Sequence, residues 1–176
     1  MSTTTWIIDP AHSEITFKVK HLMISSVKGE FRTFTGEIHG VDFTTATVSA
    51  NVEADSVFTN NSDRDTHLKS ADFFDTETYK DISFKSTGLT KKGDDEYTLS
   101  GLLTIKETTK AIDLALEYGG QMKDPYGNLK AGFSISGKLN RKDWGLNWNA
   151  ALEAGGVMVS DEVKIAGELQ FVKQTS

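Results

Sequence analysis

Two pairs of side chains have the types and spacing that catalysis or metal binding requires. His12 stands beside Ser13, which supplies a nucleophile and its base, and Asp63 precedes His67 by one helical turn. Neither pair is supported by its surroundings. No Gly-x-Ser-x-Gly elbow is present, and adjacent residues on a strand point to opposite faces, so His12 and Ser13 do not form a working dyad. A metal on Asp63 and His67 needs a second paired motif, and His12, His21 and His39 are scattered singly instead. Cysteine is absent, which removes thiolate nucleophiles, Cys-ligated metals and disulfides. The expectation is therefore no catalytic residue, no metal and no cofactor. Arg64, His67 and Arg141 remain as donors that could meet the oxygens of a polar head group. The same arginines could instead hold loops, Arg64 through Asp65 and Arg141 through Asp143.

The elements that would position these residues are strands. Ile15, Phe17, Val19 and His21 share one parity, against Thr16, Lys18 and Lys20 on the other. The same alternation runs through Ala46–Ala54, Ile82–Ser86, Tyr97–Ile105, Ile112–Tyr118, Leu129–Leu139 and Val163–Phe171. Val27, Gly29 and Phe31 change parity to Phe34, Gly36 and Ile38, which predicts a bulge or bend near Thr33. The runs make about eight strands. Lys91–Asp95 and Asp124–Asn128 read as hairpin turns, and one apolar face per strand argues for antiparallel pairing.

Two segments break the pattern. Asp55–Tyr79 is too long for a hairpin; its Ser62-Asp63-Arg64-Asp65 reads as a capping box opening a short helix, and Asp72-Phe73-Phe74-Asp75 as a further turn. Asn140–Asp161 carries Trp144, Trp148, Gly155 and Gly156 and is long enough to be a lid or binding loop. Leu68, Phe73 and Phe74 could close a barrel mouth or plug it as core, and Trp144 could be lid or packed corner.

Eight such strands form a sandwich or close into a barrel that removes its edges. An eight-stranded barrel can be filled by side chains or can hold one small ligand. The inward parity includes Ala46, Ala50, Ala54, Gly101, Ala131, Gly137 and Gly167, small residues that make a filled core hard to build and point to a cavity. The chain has 176 residues, ample for one domain over 1–176. Its net charge of −6, with no run of Lys or Arg forming a basic stripe, opposes nucleic acid as a partner. No stretch is apolar enough to span a membrane as a helix, and the amino terminus lacks the features of a secretory signal, so a cytoplasmic location is expected. Dimerisation through an exposed barrel face stays open.

In order along the chain, Trp6-Ile-Ile-Asp9-Pro-Ala-His12-Ser13-Glu-Ile15-Thr-Phe17, Val27-Lys-Gly29-Glu-Phe31, Phe34-Thr-Gly36, Arg64-Asp65-Thr-His67-Leu68-Lys-Ser70-Ala-Asp72-Phe73-Phe74-Asp75, Leu102-Leu103-Thr104-Ile105-Lys106 and Asn140-Arg141-Lys-Asp143-Trp144-Gly145-Leu146 resemble the YceI-like family of lipocalin-like, polyisoprenoid-binding barrels. Lys80 stands where that pattern commonly has proline, and Glu107-Thr108 where it has Gly-Val, both at strand ends or turns. The resemblance implies a long-chain isoprenoid, a polyprenyl pyrophosphate or an isoprenoid quinone, held in the barrel.

The expected fold is thus all-β, a single eight-stranded antiparallel, lipocalin-like barrel with a short helical insert between strands 3 and 4. The expected ligand-binding residues are Phe17, Val19, Phe31, Val48, Val52, Phe84, Leu99, Leu103, Leu114, Phe133 and Ile135 on the strands. Leu68, Phe73, Phe74, Trp144, Arg64, His67 and Arg141 join them from the inserts. The expected function is binding and sequestration or transport of the lipid, without enzymatic activity. The competing reading is a lipid-acting isomerase or hydrolase with His67 or His21 as acid/base.

Overall fold

The computed structural model describes residues 4–22, 24–149 and 159–174. Eleven strands form one sheet: β1 (Thr5–Ile8), β2 (Glu14–His21), β3 (Ser25–Phe31), β4 (Phe34–His39), β5 (Thr47–Glu53), β6 (Val57–Phe58), β7 (Asp81–Gly93), β8 (Glu96–Ile105), β9 (Thr108–Lys123), β10 (Leu129–Asn140) and β11 (Val159–Lys173). Every pairing is antiparallel, and β1 pairs with both β4 and β11, so the sheet closes on itself.

Three staves of this barrel are each broken in two, which reconciles eleven strands with an eight-stranded barrel. The first is β1 and β2, interrupted by a 3-10 turn at Pro10–His12, and both halves lie along β11. The second is β3 and β4, parted at Arg32–Thr33, where the change of parity predicted a bend. The third is β5 and β6, parted by a 3-10 turn at Ala54–Ser56. The pairing is carried past these breaks by Arg32 N–H donating to Ser56 O (3.2 Å) and Glu53 N–H to Thr33 O (3.0 Å).

The helix α1 (Ser62–Lys69) lies between the third and fourth staves. Its cap is one residue earlier than the capping-box reading. Asn61 has extended dihedrals (φ −152°, ψ 109°), and its side-chain oxygen accepts from the Arg64 amide at 3.0 Å, which leaves Ser62 inside the first turn. The expected hairpins are present: Asp95 takes φ 59° between β7 and β8, and Asp124 accepts from the amides of Tyr126 and Asn128 between β9 and β10.

Both long inserts leave and re-enter the barrel at the same end, here called the helix end, because β6, β7, β10 and β11 all terminate there. A core of Ala54, Ile82, Ile105, Trp144 and Leu146 packs that end, joined by Phe31 and Phe74. A second core of Trp6, Ile8, Phe34, Ile38, Ala131, Phe133 and Phe171 packs the far end. Between them the inward side chains are only half-buried, so the strand pattern alternates exposed with intermediate. Among the described residues no large side chain is completely buried. A barrel with a solid core would bury several.

Of the small inward residues, Ala46 and Ala50 border the hollow directly, and the others act differently. Ala54 and Ala131 are packed into the two end cores, at 2% and 1% exposure. A Cβ added at Gly29 would meet the Phe17 ring, and one at Gly101 the Phe84 ring. At Gly137 it would lie 2.7 Å from Leu114 Cδ2, and at Gly167 2.9 Å from Ile135 Cγ1. Each glycine therefore lets a large neighbour lie flat across the adjoining strand. Bulky side chains laid over these glycines, together with the small Ala46 and Ala50, leave the hollow open.

Candidate functional site

The space between the end cores is a cavity of about 970 Å³. Phe17, Val19, Phe31, Val48, Val52, Phe84, Leu99, Leu103, Leu114, Phe133 and Ile135 border it from the strands, and Leu68, Phe73, Phe74, Trp144, Arg64, His67 and Arg141 from the inserts. Val27, Ile112, Leu139, Val163 and Ile165 border it as well, on parities that the alternation marks as inward. Register stacks Val163, Val19 and Val27 in one row across β11, β2 and β3.

At the helix end the wall is completed by side chains from outside the sheet. β3 pairs with β6 only at Glu30 and Phe31, so Ser25–Gly29 has no strand on that side among the described residues. Asn61 and Asp63 are solvent-exposed yet border the cavity, which therefore reaches the surface beside the start of α1. The two inserts meet here. The Trp148 ring sits 4.6 Å from His67 and 5.5 Å from Phe73, while Phe74 packs edge-on against Phe31 at 5.7 Å. Trp144 is a packed corner: it is buried, and its Nε1 donates to Leu103 O at 3.0 Å. Glu107, in the β8–β9 turn, faces Tyr79 of the first insert and pushes its phenol above the ordinary pKa. Gly155 and Gly156 lie outside the described residues.

The two arginines hold loops, through partners other than the adjacent carboxylates. Arg64 donates from Nε to Thr59 Oγ1 (2.8 Å) and from Nη2 to Thr59 O (2.7 Å), while Asp65 accepts from the same threonine's amide and hydroxyl. Arg141, 4% exposed, donates to the backbone oxygens of Leu146 (2.6 Å), Trp148 (2.8 Å), Ser160 (2.9 Å) and Val159 (3.3 Å). Backbone carbonyls are fixed by the loop's own course, so they make a firmer cradle than Asp143 would. Burial pulls the Arg141 pKa down and nearby Asp161 pulls it up; from so high an ordinary value the guanidinium stays charged. His67 Nε2 lies 2.9 Å from Asp72 Oδ2. Among the described residues no group of metal-ligating side chains converges.

Phe43, in the loop between β4 and β5, escaped the sequence reading. Its ring lies 5.3 Å from Trp6, 5.4 Å from Phe133 and 5.8 Å from Tyr118, which narrows the far end. The loop is shaped by Asp42, whose carboxylate accepts from the Thr44 hydroxyl (2.7 Å) and amide (2.9 Å); both bonds hold its pKa below the usual range. A lone aromatic in a polar turn was the available signal.

Comparison with known proteins agrees with this architecture. The chain is 39% identical over 171 residues to a UPF0312 protein of Staphylococcus aureus, covering 96% of this chain and 97% of that one. A crystal structure of a Campylobacter jejuni YceI protein superposes with a TM-score of 0.75 at 31% identity, covering 90% and 91% of the two chains. A domain from Saccharophagus degradans, described as polyisoprenoid-binding, shares the fold with a TM-score of 0.74 at 15% identity, over 96% of this chain and 98% of that one. The profile of the YceI-like domain matches residues 6–171, from the first strand of the barrel to the last. With that span and those relatives, the chain belongs to the YceI-like family.

Proposed function

We propose that this chain binds one long-chain isoprenoid lipid inside the barrel and sequesters or carries it. The observation behind the proposal is the hollow itself: about 970 Å³ of chiefly apolar-lined space between two packed cores. That is at the upper end of ligand pockets, which run roughly 300–1,000 Å³. Each methylene buried contributes about 0.8 kcal/mol, so a tail of several isoprene units gains affinity without any directional contact. The strand residues named above are its tail-binding surface, with Leu68, Phe73, Phe74 and Trp144 at the helix end. The fold shared with the Saccharophagus degradans domain supports the same ligand class.

Of the expected head groups, an isoprenoid quinone fits better than a pyrophosphate. Arg141 is committed to four backbone carbonyls and Arg64 to Thr59, which leaves few cationic donors for a dianion. Native mass spectrometry of the purified protein tests the reading: a bound prenyl compound, or uptake of an isoprenoid quinone, is expected. Val19→Trp fills the row of valines and is expected to cut uptake at least tenfold while the barrel stays folded. An empty protein that takes up no prenyl compound overturns the carrier reading.

One observation favours a second reading. His67 lines the cavity with Asp72 at 2.9 Å, which is how a histidine acid/base of an isomerase or hydrolase is oriented. Turnover of a prenyl substrate, lost in His67→Ala, would establish it; turnover surviving both His67→Ala and His21→Ala would overturn the assignment of either histidine as the acid/base.

A further inference from the structure

The sequence contains no run of basic residues, but the register of the barrel builds a row. Lys138 on β10 is paired with Lys164 on β11, Lys164 with Lys18 on β2, and Lys18 with Lys28 on β3. All four are exposed on the outer face, and together they span about 14 Å at the usual strand spacing of about 4.8 Å. Lys20, also exposed, extends the row toward the helix end. Glu162 pairs with Lys138 at 3.8 Å, and Glu30 stands one position above the row on β3. Among the described residues, Lys18, Lys20, Lys28 and Lys164 have no ion-pair partner. Like charges directly opposite on neighbouring strands destabilise a sheet. Four in succession, on a chain of net charge −6, call for an external anion.

A second feature lies next to this row. The β2–β3 hairpin ends in Leu22 and Ile24, which are 36% and 83% exposed, about 13 Å along the strand from Lys18. The same end of the hairpin borders the cavity through His21 and Val27. We propose that this face docks on an anionic lipid bilayer, the lysine row at the phosphate layer and the side chains of Leu22 and Ile24 in the interface. A phosphate backbone of nucleic acid offers the lysines a similar charge but gives the exposed isoleucine nothing to enter. Docking there would bring one end of the cavity against the bilayer. The surface is independent of what the cavity holds.

Vesicle co-sedimentation with the full chain tests this, using phosphatidylcholine with or without phosphatidylglycerol. The protein is expected to bind the anionic vesicles and not the neutral ones, and binding should fall with salt. A lysine near an anionic surface contributes roughly fivefold, so Lys18→Gln with Lys164→Gln should weaken binding roughly 25-fold. Ile24→Ser should weaken it by about tenfold or more. These positions face outward, and removing facing like charges should leave the melting temperature unchanged or slightly higher. The proposal is overturned by equal binding to both vesicle types, by unchanged binding of the variants, or by equally tight binding of duplex DNA at the same salt. Mass spectrometry of the same preparations reads cavity content separately. A barrel without lipid that still docks refutes only the carrier reading, and a loaded barrel that ignores vesicles refutes only this one.

Discussion

At the scale of single residues, the most constrained side chain is Arg141. Its guanidinium reaches four carbonyls along the second insert, two before and two after the undescribed segment, and so fixes where that insert leaves and rejoins the barrel. Arg141→Ala leaves those oxygens short of partners in a buried place and should cost about 3 kcal/mol, read as a lower midpoint in urea. Arg141→Lys should recover only part of it, since an ammonium cannot present the planar fork. The sequence marked Arg141 as either a head-group ligand or a loop clamp, and residue type alone could not choose. The choice depends on the carbonyls converging on it, and those come from tertiary folding.

At the scale of elements, the barrel's first stave shows how a break is stabilised. The 3-10 turn at Pro10–His12 is capped by Asp9, which also contacts His12 Nδ1 at 2.8 Å and Lys130 Nζ at 3.0 Å across the sheet. These contacts, the one to His12 foremost, hold the Asp9 carboxyl below its ordinary pKa despite partial burial. A carboxylate with a depressed folded pKa adds stability above its unfolded value, near 3.9, and that stability is lost as pH falls through the folded value. Asp9→Asn should therefore lower the melting temperature at neutral pH and flatten its dependence on pH below about pH 4. The staves themselves were legible because alternation with period two needs only local sequence. Their internal breaks were less so. The change of parity at Thr33 is visible, but β1 stands apart from β2 only through a turn whose cap, Asp9, is held by Lys130 from a distant strand. The lysine row was invisible for a similar reason: residues 18, 28, 138 and 164 become neighbours only once register is known.

At the scale of the whole molecule, a barrel with cores at its ends and a hollow between them lacks the central packing that stabilises a filled one. A ligand held there supplies the missing contacts. If the barrel holds a lipid as proposed, stripping it should lower the melting temperature by roughly 5–10 °C, the equivalent of about 2.7 kcal/mol at a hundredfold excess over Kd. Calorimetry before and after delipidation reads this, and re-addition of the lipid should restore it. The hollow was legible only as a hint, because the glycines that suggested it do another job. Phe17 and Phe84 lie flat across Gly29 and Gly101, so the wall is smooth. A smooth bore changes how an occupant leaves. With no single contact to break, a tail would withdraw carbon by carbon, each one re-exposed at about 0.8 kcal/mol, so residence time would lengthen roughly fourfold with every carbon enclosed. The barrel would then time its cargo by length.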